Sequence, residues 1–288
     1  MEPRHPQPEP PQDPSSARIH AGHARWKDRV FFAGLGGFGA VYVLLILAML
    51  GSNLSFTTPG HLAHALASPE IQFSIRLSLI TCTLSTILAL WVAVPIGYLL
   101  SRFDFPGKRL IDSILDIPIV LPPLVIGLSL LIFFQTPIGR AIERVIPFTY
   151  AVPGVVLAQF AVAAAFAVRT MLVTFQQISA RREAVARTLG CNRAGAFFRI
   201  ALPEARRGIL TAATLAWARS LGEFGPILVF AGATRMRTEV LPTSVFLELS
   251  VGNIEAAVAV SLLMIVAALA VLGLARTFGL RASLERVL

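Results

Sequence analysis

Long apolar runs, separated by short segments that hold almost all of the charge, set the pattern of this chain. Six runs approach the about 20 apolar residues that a helix needs to cross the hydrocarbon core of a bilayer. They are Val30 to Leu50, Leu77 to Leu100, Ile117 to Phe134, Val145 to Val168, Gly208 to Gly232 and Ala256 to Ala275. The pattern predicts an all-α integral membrane protein with six transmembrane helices filling residues 30–275. Five of the runs contain no charged residue, and the fifth contains Arg219 and Glu223.

One polar stretch breaks the rhythm. Residues 169–207, between the fourth and fifth runs, include REAVARTLGCNRAGAFFRIALP from Arg182 to Pro203. Glu183 and Ala184 open a helix-forming run, Gly190 interrupts it, and a second run with Phe197, Phe198 and Ile200 ends at Leu202 and Pro203. Glycine adopts the left-handed conformation that lets a helix stop abruptly, and proline lacks the N–H that a continuing helix needs. The spacing therefore predicts helix, turn, helix, stop. On spacing alone, an ordinary amphipathic interfacial helix is the plain alternative.

This stretch resembles the cytoplasmic loop of ABC-transporter permeases, whose signature is Glu-Ala-Ala, a glycine, and then Ile-x-Leu-Pro. Gly190, Ile200, Leu202 and Pro203 match it in identity and spacing, while the usual Glu position holds Ala184 and Glu183 sits one residue early. The resemblance implies that Glu183, Ala184, Gly190, Ile200, Leu202 and Pro203 form a coupling helix gripped by an ATPase partner.

Composition agrees with the membrane reading. The chain is 55% apolar and only 14% charged, with a mean hydropathy of +0.72, where soluble proteins carry roughly a quarter charged residues. Charge placement then orients it, because Lys and Arg collect in cytoplasmic segments. Nineteen of the 25 Lys and Arg residues fall in the N-terminal tail, 101–116, 169–207 and the C-terminal tail, and five in the opposite loops. Both termini and the long loop are expected to face the cytoplasm. The net charge of +9 is thus a topology signal and gives little reason to propose nucleic acid as a partner.

Residues 1–29 are rich in proline and polar side chains and then turn basic near Trp26. They read as a disordered, dispensable cytoplasmic tail ending in a membrane anchor. The following apolar run is too long for a signal peptide and reads as a retained first helix. Residues 276–288 read as a cytoplasmic C-terminal tail.

Arg219 and Glu223 are four apart, hence on one helical face, and each would cost about 2.5–3.5 kcal/mol at the bilayer centre if it faced lipid. Two readings stand: a structural ion pair, or part of a gate together with Ser220 and the flexible Gly222. Pro122 and Pro123 in the third run free backbone carbonyls, either as a simple kink or beside a water-filled cavity. Small residues such as Ala163, Ala165 and Ala167 predict close helix packing. Cys82 and Cys191 lie in different compartments and cannot form a disulfide. The pairs His20/His23 and His61/His64 are too few for a metal site without further ligands.

ARSLGEFG, at Ala218 to Gly225, looks like the fifth-span signature of molybdate permeases, shared more loosely by sulfate and tungstate relatives. A second stretch is similar to the same family: Arg102, Phe105-Pro106-Gly107-Lys108, Asp112, Asp116, Pro118, Leu121-Pro122-Pro123 and Thr136-Pro137-Ile138-Gly139. The resemblance covers roughly Ile71 to Ala275, with departures at Pro226 and at Ala233 to Arg237.

Motifs for chemistry are missing. No G-x-x-x-x-G-K-[ST], H-E-x-x-H or G-x-S-x-G occurs, so neither ATP hydrolysis through a phosphate loop nor a hydrolase is read from this chain. A dianion moving inward against an inside-negative potential is opposed by about 4.6 kcal/mol per 100 mV, so energy must come from outside. The resemblance supplies that source. It implies a permease subunit of an importer for a tetrahedral oxyanion, molybdate first, with sulfate or tungstate as the alternative and a secondary transporter more remote. It further implies a homodimer of this chain in a bacterial-type inner membrane. Two ABC ATPase subunits would use ATP and Mg, an extracytoplasmic binding protein would deliver the oxyanion, and this chain would hold no cofactor.

Overall fold

The computed structural model describes the backbone of residues 14–55 and 58–284 and the side chains of 31–55, 58, 60 and 62–273. It divides into two units, Met1–Phe56 and Thr57–Leu288. The described residues form helices, turns and bends, with no strand among them.

The described residues of the first unit form one helix, α1 (Pro14–Ser55). Proline at the first helical position costs nothing, since its missing N–H would be unpaired there anyway. Helix thus reaches back through the basic segment to Pro14; residues 1–13, with their prolines, lie outside the described residues. Phe31–Ser55 is long and apolar enough to cross a membrane, and Phe31, Leu35, Phe38 and Tyr42 are all exposed.

The second unit opens with α2 (Pro59–Ala67) and α3 (Pro69–Arg102), the latter capped by the Ser68 hydroxyl, which accepts from the Ile71 N–H. It continues with α4 (Lys108–Val120), α5 (Pro123–Gln135), α6 (Pro137–Glu143) and α7 (Val152–Gln177). The polar stretch gives α8 (Ala180–Thr188), α9 (Arg193–Ala196), a π-helical turn at Phe197–Ala201 and α10 (Leu202–Glu204). After α11 (Arg206–Leu221) come a second π-helical turn at Ile227–Ala231, α12 (Leu241–Ser250) and α13 (Ile254–Leu284).

Packing centres on α3, α7 and α11, and small side chains make it close. Ala89 and Ala93 of α3, Ala163 and Ala167 of α7, and Ala212 and Ala216 of α11 are all fully buried. A Cβ on Gly97 would stand 2.8 Å from Met171 Cβ and 2.9 Å from backbone atoms of α7. Where lipid is as apolar as leucine, such close approach is what holds helices together. A second cluster, with Phe134, Phe148 and Phe230 stacked at ring separations of 5.2 Å, joins the ends of α5 and α7 to the second π-turn.

Two of the six expected spans are not single helices. Among the described residues, four helices are long and apolar enough to cross a membrane, and the pair α4 and α5, bent by 113°, makes a fifth only if counted as one span. Pro122 and Pro123 cannot donate to carbonyls one turn back, so α4 ends at Val120, with Leu121 extended as its cap, and helix restarts at Pro123 in a new direction. The expected run Gly208 to Gly232 is likewise split into α11 and the second π-turn, with residues 222–226 between. The boundaries also shift. α7 runs on past Val168 to Gln177, shortening the polar loop, and α13 runs past Ala275 to Leu284.

Candidate functional site

The polar loop is braced from beneath by a buried ionic cluster. Glu183, one turn into α8, is 7% exposed, and its carboxylate accepts from Tyr98 Oη at 2.6 Å and Arg102 Nε at 2.9 Å. The rest of the Arg102 guanidinium donates to the carbonyls of Phe175 and Ile178, where α7 ends. One charge pair thus ties the last turn of α3 to the end of α7 and the start of the loop. Tyr98 is held in place by Phe103, Phe175 and Phe197, with ring centroids 4.7–6.2 Å away. Glu183 therefore serves the inside of the loop, where its carboxylate is taken up by Tyr98 and Arg102.

Above that brace the loop turns as its sequence dictates. Gly190 takes φ +89°, and Cys191 N–H reaches back to the Ala186 carbonyl, closing α8. Asn192 caps α9 by accepting from the Gly195 N–H at 2.7 Å. Leu202 N–H bonds to the Phe197 carbonyl five residues back, opening the helix into a π-turn just before Pro203. Pro203 does not end the helix as expected. It sits in the first turn of α10, where its missing N–H is tolerated, and after Ala205 the chain continues directly into α11. Arg182 pairs with Glu204, tying α8 to α10. Ala184 and Pro203 are exposed, Ile200 and Leu202 are half-buried, and the apolar Val185, Leu189 and Phe198 stand in the open at 58%, 82% and 63% exposure.

Arg169 of α7 holds a second ionic cluster with Asp112 and Asp116 of α4, the Asp112 contact at 2.9 Å. It pins α4 against α7.

The two broken helices meet. A Cβ on Gly127 of α5 would lie 2.8 Å from Pro226 Cα and 2.9 Å from its carbonyl oxygen. A Cβ on Gly225 would lie 3.2 Å from the Leu124 nitrogen and 3.3 Å from Pro123 Cβ. The start of α5 after the double proline is thus seated against the gap that follows α11. Arg219 and Glu223 lie at that gap, paired at 2.5 Å, with Glu223 1% and Arg219 29% exposed. Arg219 also lies over the Phe166 ring at 5.6 Å. Glu223 Oε1, sealed from solvent, meets Arg219 as an ion pair without hydrogen-bond geometry, and Ser220 Oγ is sealed without a hydrogen-bond partner. Pro122, Pro123 and Gly222 are exposed on this break. The residues singled out in the fifth and third runs are therefore brought together, and the coupling set forms a separate group on the loop.

Several polar groups had escaped notice. Gln159, 1% exposed in mid-helix, donates weakly to Cys82 Sγ and accepts from Ser85 Oγ at 3.1 Å, a polar lock between α3 and α7. At the other end of the bundle, Arg235 reaches Glu239 and Glu248 at 3.2 and 2.7 Å, and Asn253 donates to Glu248 at 2.9 Å. Among the described residues no group of three metal-ligating side chains forms; His20, His23 and His61 have side chains outside them.

Comparison with known proteins gives the same picture from outside. Residues 93–283 match the family described as the binding-protein-dependent transport system inner membrane component. The chain is 36% identical over 200 residues to the molybdate/tungstate transport system permease protein WtpB of Thermococcus kodakarensis, covering 69% of this chain and 76% of that one. It is 38% identical over 217 residues to the molybdenum transport system permease protein ModB of Mycobacterium tuberculosis, covering 74% and 82%. In fold it is similar to a chain of the crystal structure of a bacterial alginate ABC transporter, with a TM-score of 0.73 at 16% identity over 89% of this chain and 96% of that one. A helical bundle with two helices broken at one level, a braced loop at its end and a family match over most of the chain lead to one assignment: this chain belongs to the inner-membrane permease components of binding-protein-dependent transport systems.

Proposed function

We propose that the chain is the permease subunit of an ATP-driven importer that carries a tetrahedral oxyanion, molybdate before tungstate or sulfate, into the cytoplasm. The observation that carries this is the mechanical continuity from the loop to the broken helices. Glu183, Arg102 and Tyr98 tie α8 to α3 and α7, and the loop passes into α11, whose far end carries Arg219 and Ser220, with Gly222 and Glu223 just beyond it. The similarity to molybdate and tungstate permeases supports the choice of cargo.

In this reading the loop faces the cytoplasm with both termini. The exposed Val185, Leu189 and Phe198 meet an ATPase subunit, with Ala184, Gly190, Ile200, Leu202 and Pro203 setting the shape of the contact. Two such subunits, using ATP and Mg, act on two copies of this chain, and a binding protein delivers the oxyanion from the opposite side. ATPase closure moves the loop as a lever, because its base is held by buried charge and cannot slide independently. The gap between α11 and the second π-turn, braced by the double proline of α5, is where that movement changes access. The Arg219–Glu223 pair keeps the broken segment's charges away from lipid.

The test is ATP-dependent uptake of labelled molybdate into proteoliposomes holding the chain with its ATPase and binding protein. Uptake blocked by tungstate and not by sulfate is expected. Strong competition by sulfate moves the cargo to sulfate, and a complex that hydrolyses ATP without importing any oxyanion removes the cargo class.

A further inference from the structure

A recess of about 160 Å³ opens between α8, α9 and the end of α3. At roughly 30 Å³ per water it has room for about five waters, or for one carboxylate side chain. Small side chains on the loop, Ala180, Ala184 and Ala196, leave the space free. Two arginines of the lining flank the Gly190 turn, Arg187 in the last turn of α8 and Arg193 at the start of α9, and both are exposed. Arg187 follows Glu183 by one turn, so the two share a helical face, and its charge is felt at the Tyr98 hydroxyl. Arg193 lies with Cζ 5.7 Å from the centroid of the Phe103 ring, which lines the same recess. Among the described residues neither guanidinium has a hydrogen bond or an ion pair. The nearby acids are already engaged: Glu183 with Tyr98 and Arg102, Glu204 with Arg182, and Asp104 with Lys108. The loop therefore presents positive charge without a counterpart, around an opening the size of an acidic side chain.

We infer that this recess receives an Asp or Glu side chain of the ATPase subunit, held between the guanidiniums of Arg187 and Arg193. The presence of an ATPase rests on the proposed function; the sign of its contact rests on the two unmatched arginines. Guanidinium groups meet a carboxylate edge-on with two donors each, and a recess strengthens such pairing by removing part of the surrounding water. Leu189, 82% exposed, lies between the two arginines in sequence, and Phe198, 63% exposed, follows on the same loop. Apolar contacts edged by cations match a protein groove with an apolar floor and an acidic wall. An ATPase with a basic wall there is repelled, so the recess also selects the partner. The inserted carboxylate would stand beside the Glu183–Arg102 brace, where a push on the loop passes to α3 and α7.

The chain has lysine only at positions 27 and 108, so Arg187→Lys and Arg193→Lys each place a new amine at the recess. In the assembled permease–ATPase complex, a zero-length carbodiimide is expected to couple either amine to the same Asp or Glu of the ATPase, located by peptide mass spectrometry. Arg187→Glu with Arg193→Glu should weaken ATPase binding to the permease, held in zwitterionic nanodiscs, by about tenfold; changing the coupled acid to Lys should restore it. Where that double reversal does not assemble, Arg187→Gln with Arg193→Gln removes the charge without adding repulsion and should weaken binding several-fold. No coupling to the ATPase from either position in an assembled complex, or wild-type affinity in the double Gln variant, overturns the inference. Dependence on the two arginines that appears only when phosphatidylglycerol is added makes a lipid phosphate the occupant and also overturns it. A complex that imports oxyanion yet shows no coupling loses the recess contact and keeps the function. A permease that couples through the recess yet imports no oxyanion loses the cargo and keeps the contact.

Discussion

Glu183 carries more than its place in a short motif would imply. Its carboxylate and the Arg102 guanidinium are both about 10% exposed, so removing one member strands a buried charge, at a cost of about 3–5 kcal/mol. Glu183→Ala is therefore expected to lower the thermal midpoint of the purified complex more than Glu183→Gln, whose amide still meets Tyr98. A double-mutant cycle between Arg102 and Glu183 should return a coupling energy of about 1.5–3 kcal/mol; simple additivity would show that the pair does not brace the loop. At the other site, Arg219→Met alone leaves the buried Glu223 unmatched, again at about 3–5 kcal/mol. The joint change Arg219→Met with Glu223→Leu removes both charges and should recover complex yield above the single variant. A double variant worse than the sum of the singles would argue against pairing. The Arg219–Glu223 pairing was legible because the two residues are one helical turn apart. The partners of Glu183 were not, since Tyr98 and Arg102 lie 85 and 81 residues away and nothing local marks such a pairing, although Arg102 stood in a recognisable stretch.

At the scale of elements, the breaks matter as much as the helices. Gly127 and Gly225 allow α5 to seat against the gap after α11. A side chain at Gly127 would meet Pro226 backbone, which cannot step aside, so Gly127→Val should abolish uptake while leaving expression measurable by detergent extraction; normal uptake would mean that the two breaks need not stay in contact. Gly190 is a different case. No atom lies within 4 Å of an added Cβ there, and only its φ of +89° resists substitution. Gly190→Val should therefore cost about 1–2 kcal/mol of local strain, leave membrane insertion intact and tilt α9 against α8, lowering transport per ATP hydrolysed. Unchanged transport per ATP would refute the lever. Hydropathy located every apolar run but could not see where a run stops being one helix, because leucine and valine on both sides of a break are equally apolar. Pro122 and Pro123 announced the first break; the size of the bend, 113°, depends on what α5 packs against. The second break has no proline inside the gap before Pro226, and only Gly222 and Gly225 hinted at it. Pro203 misled in the opposite direction, since a proline in a first turn does not end a helix.

Over the whole molecule, one chain of contacts links the loop's open apolar face to the broken helices near Arg219 and Glu223. Alanine packing among α3, α7 and α11 makes this bundle stiff, and the Gln159–Ser85 lock adds a polar contact that lipid cannot replace. Fold class and family were readable from the apolar runs, the loop motif and the ARSLGEFG stretch, because each is a local or summed property of the sequence. The brace under the loop depends on α3, α7 and α8 converging, and no single segment encodes it. The most direct measurement is the ratio of molybdate imported to ATP hydrolysed, in proteoliposomes containing the full importer, for wild type and Glu183→Ala. A braced lever predicts that Glu183→Ala still hydrolyses ATP while the transport ratio falls at least tenfold. An unchanged ratio in an assembled complex would contradict it and leave the loop as a docking surface without a role in transmission.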